Sequence, residues 1–491
     1  MKRLLLPLQF VYTVISFVQA QDNHYESDQL GSQNAILCGA SISRWVDQTA
    51  VINNAATMIF AKEAGITLNT ATARIDNILF LNGLGDHFDL RSNSTLVFPG
   101  LIAWEIPSLK RVDQRTVGFS IYGRMHDRLR FTNRAVFDAN VIDDAESPGE
   151  EVYTGLYALD SDVDEAVGTL GWGERLSDEW AIGFTTQVIF RNHKYSESFS
   201  ATVVPNPDSA MDMDAVRGET NTSLLYNATL LQFKASVAWQ KDDWSAGLIV
   251  TAPTIRIWSA GDMLAEINLI NMRVHPDKPR NSYFANTYLS KSKPRYKYPF
   301  SIDGGVSRNL NKVQFSVAAS LYASLARYTI FDPDEETYLQ PPGGDNVIYS
   351  PRLFEVWGIN RSIVNFSTSA TWTLSDMASL LFGFRTDQHF SEIPPAEENV
   401  PGFQLSKKIW NRYHFNGGAE IRWRRSFWIL GVQYSRGRAD NYPTPFSYSG
   451  ATEGNFLQGE PGYGTISQNG VSFLLSFFIQ FQRKEDRKKE D

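Results

Sequence analysis

Read with a period of two, the stretch "VGFSIYGRMHDRLRFTN", residues 117–133, places Ser120, Tyr122, Arg124, His126, Arg128 and Arg130 on one face. A guanidinium presents a planar fork of donors that matches a carboxylate. Tyr122, Arg124, Arg128 and Arg130 are therefore candidate ligands for an acid group. The alternative for the same pattern is a row of arginines that is solvated or paired with acids. The opposite face carries Val117, Phe119, Ile121, Met125, Leu129 and Phe131, with Gly123 and Asp127 interrupting it. Glycine inside a strand marks a bulge or bend. An acid facing hydrocarbon is costly unless the chain kinks or the membrane ends there.

Other chemistry is missing. There is no Gly-x-Ser-x-Gly elbow, no phosphate-binding loop and no His/Cys cluster at metal-ligand spacing. The seven histidines are scattered, and Cys38 stands alone, so an internal disulfide is excluded. These patterns predict no catalytic residues, no metal, no cofactor and no enzyme; an outer-membrane lipase is disfavoured. The formal net charge is −8, and −10 once Lys2 and Arg3 are removed, which argues against a nucleic-acid partner.

Positioning such residues requires strands, and strands dominate the pattern. In "VSFLLSFFIQFQ" the residues Val471, Phe473, Leu475, Phe477, Ile479 and Phe481 alternate with Ser472, Leu474, Ser476, Phe478, Gln480 and Gln482. "WAIGFTTQVIF" and "VQFSVAASLYASL" show the same apolar outside and small or polar inside, the inverse of a soluble barrel. Aromatic residues make up 13% of the chain, which suits the two aromatic girdles of a membrane barrel.

Connection lengths point the same way. Short turns at "GERLSDEW", "WQKDDW", "RNLNKV", "TLSDMA" and "RWRRSF" alternate with long polar stretches near 201–221, 258–297, 331–360, 391–410 and 437–467. An outer-membrane barrel has short periplasmic turns and long outer loops. The expected fold is all-β: a transmembrane antiparallel barrel of about fourteen strands over residues 65–482. "MKRLLLPLQFVYTVISFVQA" has the basic start, apolar run and small-residue end of a signal peptide, with cleavage expected after Ala20. A charged tail, 483–491, would lie in the periplasm. Residues 21–64 could fill the lumen as a plug or form a loosely ordered periplasmic leader.

The segment "GASISRWVDQTAVINNAATMIF" resembles the N-terminal hatch of the FadL/TodX outer-membrane transporters. "LLQFKASVAWQKDDWSAGLIVTAPTIRIW", "SLYASLARYTIFDP" and "LLFGFRTD" are similar to that family's later segments. Where the family carries Asn-Pro-Ala at the end of the hatch, this chain has Asn53, Asn54 and Ala55, without the proline. The resemblance implies a plugged barrel that takes up long-chain fatty acids or aromatic hydrocarbons passively and releases them sideways. The release would pass a kink in the third strand, here at Gly123 and Asp127. It also implies a hydrophobic capture groove on the third and fourth outer loops. There "DMLAEINLINM", residues 262–272, is expected as a short amphipathic helix offering Leu264, Ile267 and Ile270. Expected partners are outer-membrane lipids and a hydrophobic small molecule, with the chain as a monomer. The alternatives are a FadL-like barrel serving type IX protein secretion or surface assembly, and an open diffusion porin.

Overall fold

In a computed structural model the described residues are 24–25, 31, 33–61, 65–98, 100–107, 114–206, 213–274, 277, 279–333, 337–339, 352–392, 402–405, 407–423, 426–460 and 462–480. The expected signal peptide (1–20) and charged tail (483–491) lie outside them. Strand alternation closes into a barrel of fourteen antiparallel strands. They are β1 (Gly65–Leu81), β2 in two pieces (Leu90–Phe98 and Ile102–Pro107), β3 (Arg115–Ala139), β4 (Glu151–Arg175), β5 (Trp180–Val204) and β6 (Val216–Lys241). Four strands in pieces follow: β7 (Trp244–Thr251, Ile255–Met272), β8 (Asn281–Ser292, Ser301–Leu310), β9 (Val313–Tyr322, Leu325–Phe331, Thr337–Leu339) and β10 (Val356–Asn360, Ile363–Ser375). The last are β11 (Ala378–Asp387), β12 (Arg412–Trp423), β13 (Ser426–Pro443) and β14 (Tyr463–Gln480).

Each strand pairs with the next, and β14 pairs back onto β1 from Gly65↔Gln480 to Leu81↔Thr465. Closure of β14 onto β1 removes the two end strands as edges that could template aggregation. Facing follows parity. Phe473, Leu475 and Ile479 on β14, Phe184 and Phe190 on β5, and Phe315, Val317 and Leu321 on β9 are exposed on the outside. Ser472, Ser476, Gln187, Ser316 and Ser320 are buried inside. Breaks in strands have local causes. The break in β7 holds Pro253 and that in β8 holds Pro294 and Pro299, residues with no N–H for the ladder. At one end the turns are tight. Those joining β6 to β7 and β8 to β9 begin on Asp242 and Asn311, whose φ values of 50° and 54° are left-handed. Asp and Asn tolerate that region, and tight hairpin turns use it.

One expected element is replaced. Residues 262–272 are no helix: they continue β7, pairing with β6 from Arg217↔Ile270 to Leu231↔Ile255 and with β8 on the other side. Apolar residues at 264, 267, 269, 270 and 272 satisfy neither period cleanly, and two neighbouring strands decide the matter by taking up the backbone hydrogen bonds. Leu264 and Ile270 are exposed on the outer face, while Ile267 is half-buried on the inner one, so the three do not form one surface. The stretch 258–297, read as a loop, is therefore mostly a tall hairpin.

Candidate functional site

Residues 33–61 lie inside the barrel. A short helix (α1, Gln33–Ile36) and two 3-10 turns, Gln48–Val51 and Ala55–Phe60, lie inside, almost wholly buried. Asp47 caps the first turn through the Thr49 N–H, and Asn54 caps the second through the Ala56 N–H at 3.1 Å. Wall side chains satisfy carbonyls of this segment. Lys234 Nζ donates to Ile52 O at 3.2 Å, Arg175 Nη2 to Ile59 O at 2.9 Å, Thr185 Oγ1 to Val51 O at 3.3 Å and Asn416 Nδ2 to Ala35 O at 2.7 Å. In return Trp45 Nε1 donates to Glu105 at 3.1 Å.

Glycine makes the seat. A Cβ on Gly183 would meet Ala56 N at 2.3 Å, one on Gly247 Ile42 O at 2.3 Å, and one on Gly383 Ile36 O at 2.3 Å. Three different strands thus bring bare backbone against the inner segment. Of the triplet Asn53-Asn54-Ala55, Asn54 also donates to Ile42 O at 2.8 Å and Val237 O at 3.2 Å, Ala55 packs under Gly173, and Asn53 faces a cavity.

The third strand departs from simple alternation. Its pairing with β4 runs regularly to Gly123↔Ala166 and resumes at Met125↔Glu165, leaving Arg124 as the extra residue of a bulge. One inserted residue reverses parity. Below it Ser120 and Tyr122 face inward; above it Met125, Asp127 and Leu129 do, and all five are buried. His126, Arg128 and Arg130 turn to the outer face, against the sequence expectation for all three. There Arg128 pairs with Asp162 at 3.3 Å and Arg130 with Asp160 at 2.6 Å. Asp127 makes the opposite exchange: expected outside, it lies inside.

The wall is also interrupted beside this bulge. Among the described residues, β2 and β3 share ladder pairs from Ile102↔Ile121 to Pro107↔Thr116 and none beyond. The upper piece of β2 pairs with β1 only. In sequence the two pieces are separated by Pro99-Gly100-Leu101, which begins with a residue that cannot donate. Side chains replace the missing bonds. Arg74 Nη2, reaching from β1, donates to the His126 carbonyl at 2.5 Å. Higher up, the Arg130 N–H donates to Ser92 Oγ at 3.1 Å and Asn133 Nδ2 to Asp89 O at 3.3 Å. The result is a slot bounded below by Ile102–Ile121 and above by Ser92–Arg130.

Behind the slot stands a buried ionic cluster. Arg74 contacts Asp76 at 2.7 Å and Asp127 at 3.4 Å, and Lys408 pairs with Asp127. Gln468 Nε2 donates to Asp76 at 3.2 Å, and Gln468 Oε1 accepts from Trp410 Nε1 at 3.1 Å. Next to it Arg412 and His414 contact Asp387 at 2.9 and 3.1 Å. A second group surrounds Glu165: Arg191 at 2.7 Å, Arg124 at 3.4 Å and the Tyr298 hydroxyl at 2.5 Å, with the Arg124 guanidinium 4.1 Å from the Tyr298 ring centre.

Between the inner segment and the wall lies a cavity of about 150 Å³ whose lining includes Ile42, Ile52, Asn53, Tyr122, Arg124 and Lys234. A dry void of roughly this size holds a benzene-sized ring. Arg124, Lys234, Asp303 and several amides make this one suited to a polar group instead.

No family model and no curated protein matches the sequence. Solved structures do. A FadL homologue from Pseudomonas aeruginosa aligns over 94% of this chain and 100% of its own, with TM-score 0.54 and 14% identity. The toluene transporter TodX from Pseudomonas putida aligns over 93% and 99%, with TM-score 0.56 and 11% identity. The fold is that of the FadL/TodX-type channels. At such identities the likeness concerns backbone path, and the residues must be argued from this chain.

Within the FadL-type barrel, sequence reasoning passed over Arg74, Asp76, Glu165, Arg191, Lys234 and Lys408. Arg74 and Asp76 share the inward parity of β1 in "TARIDN", so alternation offered a signal for them. Lys408 lies outside any strand and had none. Arg124 and Tyr122 keep the inward place expected of them, and Gln187 Nε2 donates to the Tyr122 hydroxyl at 3.0 Å.

Proposed function

We propose that the chain is an outer-membrane channel for passive uptake of hydrophobic molecules, in which residues 21–64 act as the hatch and passengers leave sideways through the slot between β2 and β3. The slot carries the reading. In a barrel whose axis is crossed by its own beginning, an interruption of the wall offers an apolar passenger a route that skips the water beyond. The solved neighbours are described as a FadL homologue and a toluene transporter. The apolar outer faces support a place in lipid, with the tight turns toward the periplasm, the tall hairpins outside and the signal peptide removed on export. A monomer suffices, since the sheet closes on itself.

The lumen favours passengers with an acidic head over neutral hydrocarbons, because Arg124 and Lys234 outnumber Asp303 in the cavity lining and a carboxylate is the natural partner of such cations. Cells making the protein should take up labelled oleate several-fold faster than cells lacking it. Equal uptake by the two would count decisively against the channel.

A further inference from the structure

Resting on that reading, we propose that Asp127, Arg74 and Lys408 form a latch that holds the slot closed. An anionic head group on the passenger opens it by drawing off Lys408 while Asp127 stays with Arg74. Three separate parts of the chain meet here. Asp127 belongs to β3, one edge of the slot; Arg74 belongs to β1, behind the other edge; Lys408 comes from the segment 407–410 that descends into the lumen. All three side chains are at most 4% exposed, so the pairing takes place away from water.

The Arg74 guanidinium does two things at once. It takes the His126 carbonyl that β2 leaves without a ladder partner, and it reaches the neighbouring Asp127 carboxylate. Lys408 is held in place by the strands on the other side of β1 from the slot. Its neighbour Trp410 is tied to Gln468 on β14, and the Lys407 carbonyl accepts from the Tyr442 hydroxyl on β13. The ion pairs therefore join the β13–β14–β1 side of the barrel to the free edge of β3, across the place where backbone pairing is missing.

A carboxylate on an amphiphile has the same chemistry as Asp127 and can compete for Lys408. Arg74, already 3.4 Å from Asp127, keeps that acid paired when Lys408 leaves, so neither charge is stranded in a dry interior. A neutral passenger of the same length has no such exchange to offer, and a ligand shifts an equilibrium only through differential affinity. The geometry thus ties opening to the head group rather than to the chain.

The experiment compares uptake of oleate and oleyl alcohol by cells carrying the full-length protein, normalised to the folded, heat-modifiable band. Wild type should favour oleate by about tenfold. Lys408→Met should raise oleyl alcohol uptake several-fold and bring the ratio to about one, while Lys408→Arg keeps the preference. Asp127→Asn, nearly isosteric, carries the same expectation as Lys408→Met should the latter assemble poorly. A Lys408→Met or Asp127→Asn protein with the wild-type ratio, or a wild type indifferent to the head group, overturns the latch. Wild-type cells that import neither compound would instead remove the channel reading beneath it.

Discussion

At Gly183 the wall and the inner segment touch with no side chain between them. Replacing it with valine drives a branched carbon into Ala55 and Ala56, an overpacking that costs about 1–3 kcal/mol. The Gly183→Val protein should show a lower urea midpoint for loss of the heat-modifiable band. Gly168→Val is the control, since a Cβ there meets nothing within 4 Å, and it should leave the midpoint unchanged. Glu165 is the complementary case. Its carboxylate is the shared partner of Arg191, Arg124 and Tyr298, and Glu165→Gln leaves two cations without their acid. Losing one partner of a buried ion pair costs about 3–5 kcal/mol, so the same urea assay should register a large drop. Either substitution with a wild-type midpoint would contradict the packing described.

Among the elements, β3 shows how one residue governs a face. Arg124 is the extra residue between Gly123↔Ala166 and Met125↔Glu165, and everything above it has exchanged sides relative to uninterrupted alternation. Deleting Arg124 restores continuous pairing with β4 without moving Asp127 outward or Arg128 inward. The expected outcome is a folded barrel whose third strand straightens and pairs with β2 across the former slot. Oleate uptake should then fall severalfold while the folded band persists. A deletion protein that folds and still imports at the wild-type rate would separate the bulge from the exit. The upper half of β7 makes the related point about long-range pairing. Its apolar residues decide cleanly for neither a helix nor a strand, and pairing with β6 and β8 on both sides settles the matter.

For the molecule as a whole, the question is whether its own beginning stoppers it. The interior contacts of residues 33–60 come from strands around the circumference, among them β4, β5, β6, β7, β11 and β12. In planar bilayers the intact protein should give no steady ohmic current, and removal of residues 33–60 should give one. A steady pore in the intact protein would mean that these contacts do not seal the lumen. Fractionation makes a coarser test: the chain should stay with the outer membrane and need detergent for extraction.

How much of this was written in the sequence depends on the range of the forces involved. The alternation in β5, β9 and β14, the tight turns and the count of strands were legible, because facing along a regular strand is a local property with period two. The candidate pair Tyr122 and Arg124 was legible for the same reason, since both lie at or below the bulge. Arg128, Arg130 and Asp127 were misassigned because Gly123 marked a bend but did not show that an extra residue is inserted beside it, and parity errors then propagate along the strand. Lys408 reaches Asp127 across 281 residues of sequence, a meeting that no spacing rule encodes. Alone, the sequence determined that this chain makes a lipid-facing cylinder with a separate beginning. Only the tertiary structure decided where the wall is interrupted and which charges meet behind it, because those depend on register and on side chains brought together by closure of the sheet.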